Sequence, residues 1–440
     1  MRYWRVAGIA VLAAAMAVGG CQKKEDKDVI EPAVIRDVEK KGQDLWEAYS
    51  QALEENTNSE AFRNSLNDFA YKSAAMILKD RDVNKNYSPL SLYYALGMAG
   101  AGAGDGTSQE LNAVLGVSDR AELAAECGKL YRSIYYMQKY NEAVRDEYDI
   151  GNKDEKMPEI SLGNSMWADR AIKLKSEYQK LMTDEFYASI HRVSFEEDQT
   201  WKDMAAWIKE QTKGVLEPNL ETNEDTVISL INTLYYYGGW KEPFSESDTA
   251  PGVFTTADGT EVMVDFMNKT SHIGGYRKGD GYQAAVLGTG ERETMIFVLP
   301  DEGYTVDEWL ESPEKLKEAL GDSYETREID WKMPKFSFGS SMDLADTLTQ
   351  LGAAGMFGTQ ADFSAMTDND VFVSRILQET HIGVDESGVE GAAYTMLLME
   401  AGAAMMTPEK ASMILDRPFL YGIYSDQAGW LFIGIVDNPA

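Results

Sequence analysis

From Phe62 onward the apolar residues fall at spacings that set out secondary structure. Leu66, Phe69, Ala70, Ala74, Ala75 and Leu78 recur three and four residues apart, which gathers them on one face of an amphipathic helix. Tyr87-Ser88-Pro89-Leu90-Ser91 interrupts that pattern, and Leu92 to Ala101, apolar on every face, predicts a buried helix. Met204 to Ile208 and Val306 to Leu320 predict further helices. Ile160 to Ala168, Thr226 to Tyr237 and Met295 to Leu299 are runs rich in β-branched and aromatic residues, and they predict buried strands. Residues 140–158 are polar and predict a surface loop. Residues 29–55 are charged and helix-prone with few aromatics, and they predict a spacer with one short helix. Strands and helices do not alternate regularly, no repeat occurs, and no Pro/Gly/Ser-rich linker divides the body. One α+β domain over residues 56–440 is the expected organisation.

The N-terminus has a different pattern. Arg2 and Arg5 precede an apolar run, Val6 to Val18, too short to span a bilayer and matching a secretory signal. The run ends in Val18-Gly19-Gly20-Cys21, which resembles the lipobox of bacterial lipoproteins. That resemblance implies a signal peptide over residues 1–20 and a lipid on Cys21. The alternative is an ordinary signal peptide with a chance cysteine. The charge-dense leader Gln22 to Asp28 can bury no apolar area, so residues 21–55 are expected to be tether and spacer. Gln22 is not the aspartate that often marks inner-membrane retention. The expectation is therefore an outer-membrane, surface-exposed lipoprotein, with a periplasm-facing one as the alternative. The mixed lysine and acid run also resembles the surface-export tags of Bacteroidetes lipoproteins.

Composition narrows the function classes. The 440 residues are 44% hydrophobic and 26% charged, an ordinary soluble globular balance. Asp and Glu number 73 against 41 Lys and Arg, and the formal charge of −32 repels phosphate backbones, so no nucleic-acid partner is expected. Cys21 and Cys127 are too few for a disulfide framework. His191, His272 and His381 lie in no metal-ligand spacing, and neither a metal nor a cofactor is expected. The glycines between Gly100 and Gly106 alternate strictly, giving neither G-x-G-x-x-G nor a Walker lysine, which suits close helix packing better than phosphate binding. A serine hydrolase would need a G-x-S-x-G or a triad pattern, and neither occurs.

A series of motifs then points to one family. Asn86, Ser88-Pro89-Leu90-Ser91, Ala95-Leu96 and Thr107 come first. Leu162 to Trp167, then Trp207, Thr212 and Gly214, follow. Asn232-Thr233-Leu234-Tyr235-Tyr236-Tyr237-Gly238-Gly239-Trp240 is next, with Phe244, Thr249, Phe254, Val262 and Met267 behind it. Pro334-Lys335-Phe336, Leu348, Leu351-Gly352, Phe357 and Asp362-Phe363-Ser364 continue the order, and Arg417-Pro418-Phe419-Leu420, Gly429, Phe432, Gly434 and Asn438-Pro439 close it. In this order, over roughly residues 60–440, the chain resembles the serpins. The resemblance implies an α+β fold of three β-sheets with eight to nine helices and an exposed reactive loop at about residues 386–416.

The resemblance also assigns roles. Glu386, Gly388, Val389, Glu390, Gly391, Ala392 and Ala393 match the serpin hinge, with Val389 in place of the usual Thr and Gly391 in place of the usual Ala. In serpins a target protease cleaves the loop, and the hinge side then enters the central sheet and drags the acyl-linked protease with it. Residues alternate faces along a strand. From Val389 the inward series is Val389, Gly391, Ala393, Thr395, Leu397, Met399 and Ala401, none charged, while Glu390 and Glu400 point outward. Thirteen such residues span about 43 Å, and no proline precedes Pro408. Ser88, Ser91, Asn232 and a histidine usually form a buried cluster in serpins; Gln378 holds the histidine's place, and an amide both donates and accepts. Lys335 and Glu386 match a salt-bridged pair near Trp240.

Counting from Glu386 places the bait bond at Gly402-Ala403. Counting back from Pro418 places it at Thr407-Pro408, about five residues on, where the proline resists most proteases. Ala404, Met405, Met406 and Thr407 therefore remain alternatives. No Lys or Arg lies between Ile376 and Glu409, so elastase-, subtilisin- or papain-like proteases are the expected partners. The expectation is a monomeric inhibitor, not an enzyme, held to a membrane by its lipid. The alternative is a non-inhibitory serpin acting as a binding or structural lipoprotein.

Overall fold

The computed structural model describes residues 28–38, 44–81, 83–148, 156–220, 226–390 and 408–440. The chain opens on a two-residue strand β1 (Val29–Ile30), then helices α1 (Leu45–Glu55) and α2 (Glu60–Ile77). β2 (Lys85–Tyr87) leads into α3 (Pro89–Gly102), α4 (Asp105–Leu115) and the long α5 (Arg120–Tyr148). β3 (Glu159–Asp169), α6 (Ser176–Asp184), β4 (Ala188–Val193), α7 (Asp198–Gln211) and β5 (Ile228–Gly239) follow. Four strands come next: β6 (Ala250–Thr255), β7 (Glu261–Lys278), β8 (Tyr282–Thr289) and β9 (Glu293–Pro300). α8 (Pro313–Ala319), β10 (Glu325–Pro334), β11 (Phe336–Asp343), α9 (Ala345–Leu351) and β12 (Leu377–Val384) precede β13 (Gly388–Val389). β14 (Lys410–Ile414), β15 (Phe419–Ser425) and β16 (Gly429–Val436) end the order.

The predicted faces account for the core. Phe62, Leu66, Phe69, Ala70 and Ala74 are the buried side of α2, and Ser59 caps its start by accepting from the Phe62 amide. Pro89 at the first turn and the Ser88 cap start α3, which is buried on nearly every residue. That burial follows from its position, since α3 packs against both β5 and β16, one from each sheet. The central sheet runs β1-β4-β3-β5-β13-β12-β11. The second runs β14-β10-β7-β8-β9-β15-β16-β2, with β6 paired to β7. Three sheets were expected, and among the described residues two are continuous. The 18-residue β7 runs through what would be two separate sheets, turning at Ser271 (φ +57°), where its ladder with β10 slips register.

Three local expectations are corrected. Residues 140–148 are helix, because α5 continues to Tyr148. The run 306–320 breaks before Pro313 into a 3-10 turn and α8. Residues 28–55 are also more than a spacer. Val29 and Ile30 pair with His191 and Ile190 on the β4 edge, and the Ala33 amide donates to the Thr183 carbonyl at 3.0 Å. α1 packs on α5, where Leu45, Tyr49 and Ala143 form a small core and the Tyr49 hydroxyl donates to Asp37 at 2.8 Å. Leu45 and Tyr49, four residues apart, were the overlooked amphipathic signal. No helix among the described residues is long and apolar enough to cross a membrane.

Candidate functional site: a strand-wide slot in the central sheet

β5 pairs with β3 on one side and β12 with β11 on the other. Among the described residues, β13 alone stands between β5 and β12. Below it, among the described residues, no ladder joins the two strands. In the rows of Gly388 and Val389, with one strand between them, the walls are about 9.6 Å apart.

β13 holds Gly388 and Val389, two residues of the expected hinge. Gly388 stands opposite Gly239, and Val389 opposite both Gly238 and Val384. Val389 points inward, 3% exposed, and joins the main core. Only glycine fits at 388. Its φ is +156°, and an added Cβ would lie 2.4 Å from the Gly238 carbonyl oxygen. The turn before it is held from several directions. Asp385 Oδ1 accepts from the Ser387 amide at 2.8 Å, Trp240 Nε1 donates to the Asp385 carbonyl at 2.8 Å, and the Trp240 amide donates to the Ser387 carbonyl at 2.9 Å.

The expected pair at the insertion point is present. Lys335 Nζ lies 2.7 Å from Glu386, whose other oxygen accepts from Thr249 Oγ1 at 2.7 Å. Burial alone would raise the Glu386 carboxyl; Lys335 and Thr249 outweigh it and hold the group below the usual carboxylate range. Glu390 points outward. Its carboxylate is 3.6 Å from Lys156, whose ammonium sits 4.2 Å over the Tyr237 ring and 4.9 Å over Tyr235. Burial raises the Glu390 carboxyl, and Lys156 offsets part of this. The Glu390 backbone is left-handed at φ +60°, so the extended strand stops there. Gly391, Ala392, Ala393 and the bait candidates Gly402, Ala403, Ala404, Met405, Met406 and Thr407 lie outside the described residues, as does Cys21.

Further down, the expected polar cluster is divided between the two walls. Gln378 on β12 clasps the Ser88 backbone: its Nε2 donates to the carbonyl at 2.9 Å, and its Oε1 accepts from the amide at 3.0 Å. Ser88 Oγ accepts from the Ser91 amide at 3.3 Å. Asn232 sits on β5 and is not part of that network. It donates to Asn164 Oδ1 at 2.7 Å, while its own Oδ1 is buried without a hydrogen-bond partner among the described residues. Sequence reasoning overlooked Thr380, whose hydroxyl donates to the Asn86 carbonyl at 2.9 Å, and the link from Tyr421 to Asn86 Oδ1 at 2.9 Å. Polar residues at alternate positions of an otherwise buried strand, Gln378 and Thr380, were the available signal. His381 is on the outward face, where burial lowers its pKa. Among the described residues no group of three His, Cys, Asp or Glu could hold a metal ion.

The two halves of the central sheet meet through the two-residue strand Gly388–Val389, seated between β5 and β12. The family model for serpins (serine protease inhibitor) matches residues 64–439, and the chain belongs to the serpin family. It is 28% identical to Serpin-ZXA of Oryza sativa subsp. japonica, over 81% of this chain and 90% of that one. It is 27% identical to human Serpin B4, over 86% of this chain and all of that one. Among solved structures it is similar to Serpin48, described as a highly specific serpin in the insect Tenebrio molitor. That match has a TM-score of 0.70 and 25% identity, covering 86% and 98% of the two chains. The native state of tengpin, a thermophilic serpin, matches in fold with a TM-score of 0.72 at 24% identity, over 87% and 95% of the chains.

Proposed function

We propose that this serpin is an inhibitory one, a suicide substrate for elastase-, subtilisin- or papain-like proteases, carried on a membrane by a lipid at Cys21. Serpins are generally protease inhibitors and not enzymes. The observation that carries the reading for this chain is the seating of Gly388–Val389 between β5 and β12, with Val389 facing the core.

The remaining rows of the slot suit the loop. Extending the Val389–Gly238 register downward brings Gly391 between the bulky Tyr236 and Ile382, and Ala393 between Leu234 and Thr380. Thr395, the only polar residue in the inward series, meets the only row with an amide on both walls, Asn232 and Gln378. Leu397 meets Leu230 and Ile376. Glycine faces the bulkiest row, the threonine faces the amide row and Leu397 faces an aliphatic one, which suits a close-packed strand.

The chemistry is supplied by the target. Its serine Oγ attacks the Gly402 carbonyl, the bond to the Ala403 nitrogen breaks, and that nitrogen leaves as an amine carrying a proton from the protease's general acid. The ester on Gly402 is what insertion must outrun. The departing end stays attached to the body, because β14 remains paired to β10. A thiol protease would form a thioester at the same carbon.

Mixing the chain with neutrophil elastase or subtilisin should give an SDS-stable complex, and mass spectrometry of the released fragment should place the cut within residues 401–407. Clean cleavage with no complex would overturn the inhibitory reading. It would favour a non-inhibitory serpin serving as a binding lipoprotein, to which the left-handed backbone at Glu390 lends some support, since it must relax before insertion can proceed.

A further inference from the structure

The two ends of the central sheet are marked by different parts of the chain. The hinge enters at the Gly239 end of β5. At the other end Ile228 stands opposite Ala168, and Ala168 opposite Arg192. The Arg192 amide donates to the Asp28 carbonyl at 2.6 Å, and the Asp28 carboxylate pairs with Arg170 at 3.1 Å. The N-terminal arm is therefore fastened in the Ile228 row. Eleven residues of strand separate that row from the hinge, about 36 Å.

Asp28 is also where a lipid anchor would reach the folded body. Seven residue steps separate it from Cys21, a span of at most ~25 Å. The Asp28 row must then lie close to any membrane that holds Cys21, and the hinge pole can stand well above it. The same register fixes where the bait ends up. Continuing from Val389 opposite Gly238, Ala401 comes opposite Thr226, at the level of Asp28 and about four strand spacings, ~19 Å, to the side of β1.

We infer that the Asp28 end of the central sheet is the lipid-facing pole, so that the bait is offered away from the membrane and loop insertion returns the captured protease to the bilayer surface. This rests on both readings above, the inhibitory one and the lipid at Cys21. A protease of some 220 residues is about 44 Å across, wider than the ~25 Å tether is long, so it cannot hang beneath an upright body. The complex must tip onto its β1 edge, with the protease against the lipid. An inhibitor so oriented clears its target from the surrounding medium and fixes it at the surface.

The test uses the chain from Cys21 onward, coupled through that thiol to maleimide-bearing phosphatidylcholine vesicles that contain an acceptor-labelled lipid. Cys127 does not compete, because it is fully buried and burial raises its thiol pKa. Donor-labelled elastase is added in two forms, one active and one with its catalytic serine replaced by alanine, which docks without cleaving. Energy transfer to the lipid should be at least about two-fold higher for the active enzyme, as expected for a move of ~36 Å toward the surface. A denaturing gel of the same samples separates the failures. If the SDS-stable complex forms and transfer stays at the docked level, the orientation is overturned and the inhibitory reading stands. If no complex forms even with the free chain, the inhibitory reading fails and this inference fails with it.

Discussion

Replacing Gly388 by alanine tests the seating of the hinge most directly. The new Cβ would lie 2.4 Å from the Gly238 carbonyl oxygen and 2.7 Å from Gly239 Cα. Both are backbone atoms of β5, so no side-chain rotation relieves the contact, and β13 must leave the slot. Releasing it exposes Val389, now 3% exposed, at a cost of about 1.5–3 kcal/mol. The Trp240 amide also loses its bond to the Ser387 carbonyl, about 1 kcal/mol net. The sum is about 2–4 kcal/mol. An unfolding entropy of about 2.1 cal/mol/K per residue over some 400 residues converts this to a Tm loss of roughly 2–5 °C. Scanning calorimetry at one fixed scan rate is the assay, since serpin unfolding need not be reversible. Gly383→Ala on β12 is the control: its Cβ would meet only Ser337 Oγ, at 3.7 Å, and should shift Tm by less than about 1 °C. If Gly388→Ala melts with the parent, the hinge is not seated as described and the slot argument loses its support.

Three further outcomes follow from the same geometry. Gln378→Ala leaves the buried Ser88 amide without an acceptor and its carbonyl with the Leu92 amide alone, and should cost about 1–3 kcal/mol in urea unfolding; a loss under about 0.5 kcal/mol would refute the clasp. Glu386→Gln removes a carboxylate held below its usual pKa, so the parent's advantage is full above the ordinary carboxylate range and fades as pH falls through the lowered folded value. With Lys335 partly exposed the advantage should be about 1 kcal/mol at neutral pH, and a gap between the two Tm values that persists or widens in acid would contradict it. Tyr49→Ala should loosen α1 from α5 by about 2–4 kcal/mol, read as faster hydrogen exchange over residues 45–55; unchanged protection would mean that the arm is not part of the fold.

What could be read from the chain depended on how local the signal was. The α2 face and the buried α3 follow from residues within two turns of each other, and the cap at Ser88 from two adjacent side chains. The inward direction of Val389 was legible because alternation on a strand needs no partner to define it. The continuity of β7 across two sheets was not, because it depends on a single turn at Ser271 in a residue type that rarely takes a positive φ. The division of the polar cluster was hidden for a similar reason. Asn232 and Gln378 lie on opposite walls, and nothing in their sequence spacing shows that the walls stand a strand apart. Residues 28–55 look like spacer because, among the described residues, Leu45 and Tyr49 are their only buried hydrophobic side chains, with Val38 partly buried beside them, and Ile30 stays exposed where the arm pairs with β4. In both cases a few contacts decide the structure against the average composition.

The orphaned oxygen on Asn232 gives the slot its sharpest test. A buried amide acceptor without a donor costs about 1–3 kcal/mol, which a donor brought into its row would relieve. In the register set by Val389, Thr395 brings a hydroxyl into that row, and no other residue of the inward series carries a donor in its side chain. Cleaving the loop should therefore raise Tm by more than about 10 °C as a full strand joins β5 to β12. Thr395→Val keeps the shape and removes the donor. The variant should match the parent while intact and melt about 1–2 °C below it once cleaved, the loss of one buried hydrogen bond. Equal shifts in both forms would mean that the hydroxyl acts in the intact chain. No shift in either form would place some other residue beside Asn232, and the register extended from Val389 would be wrong.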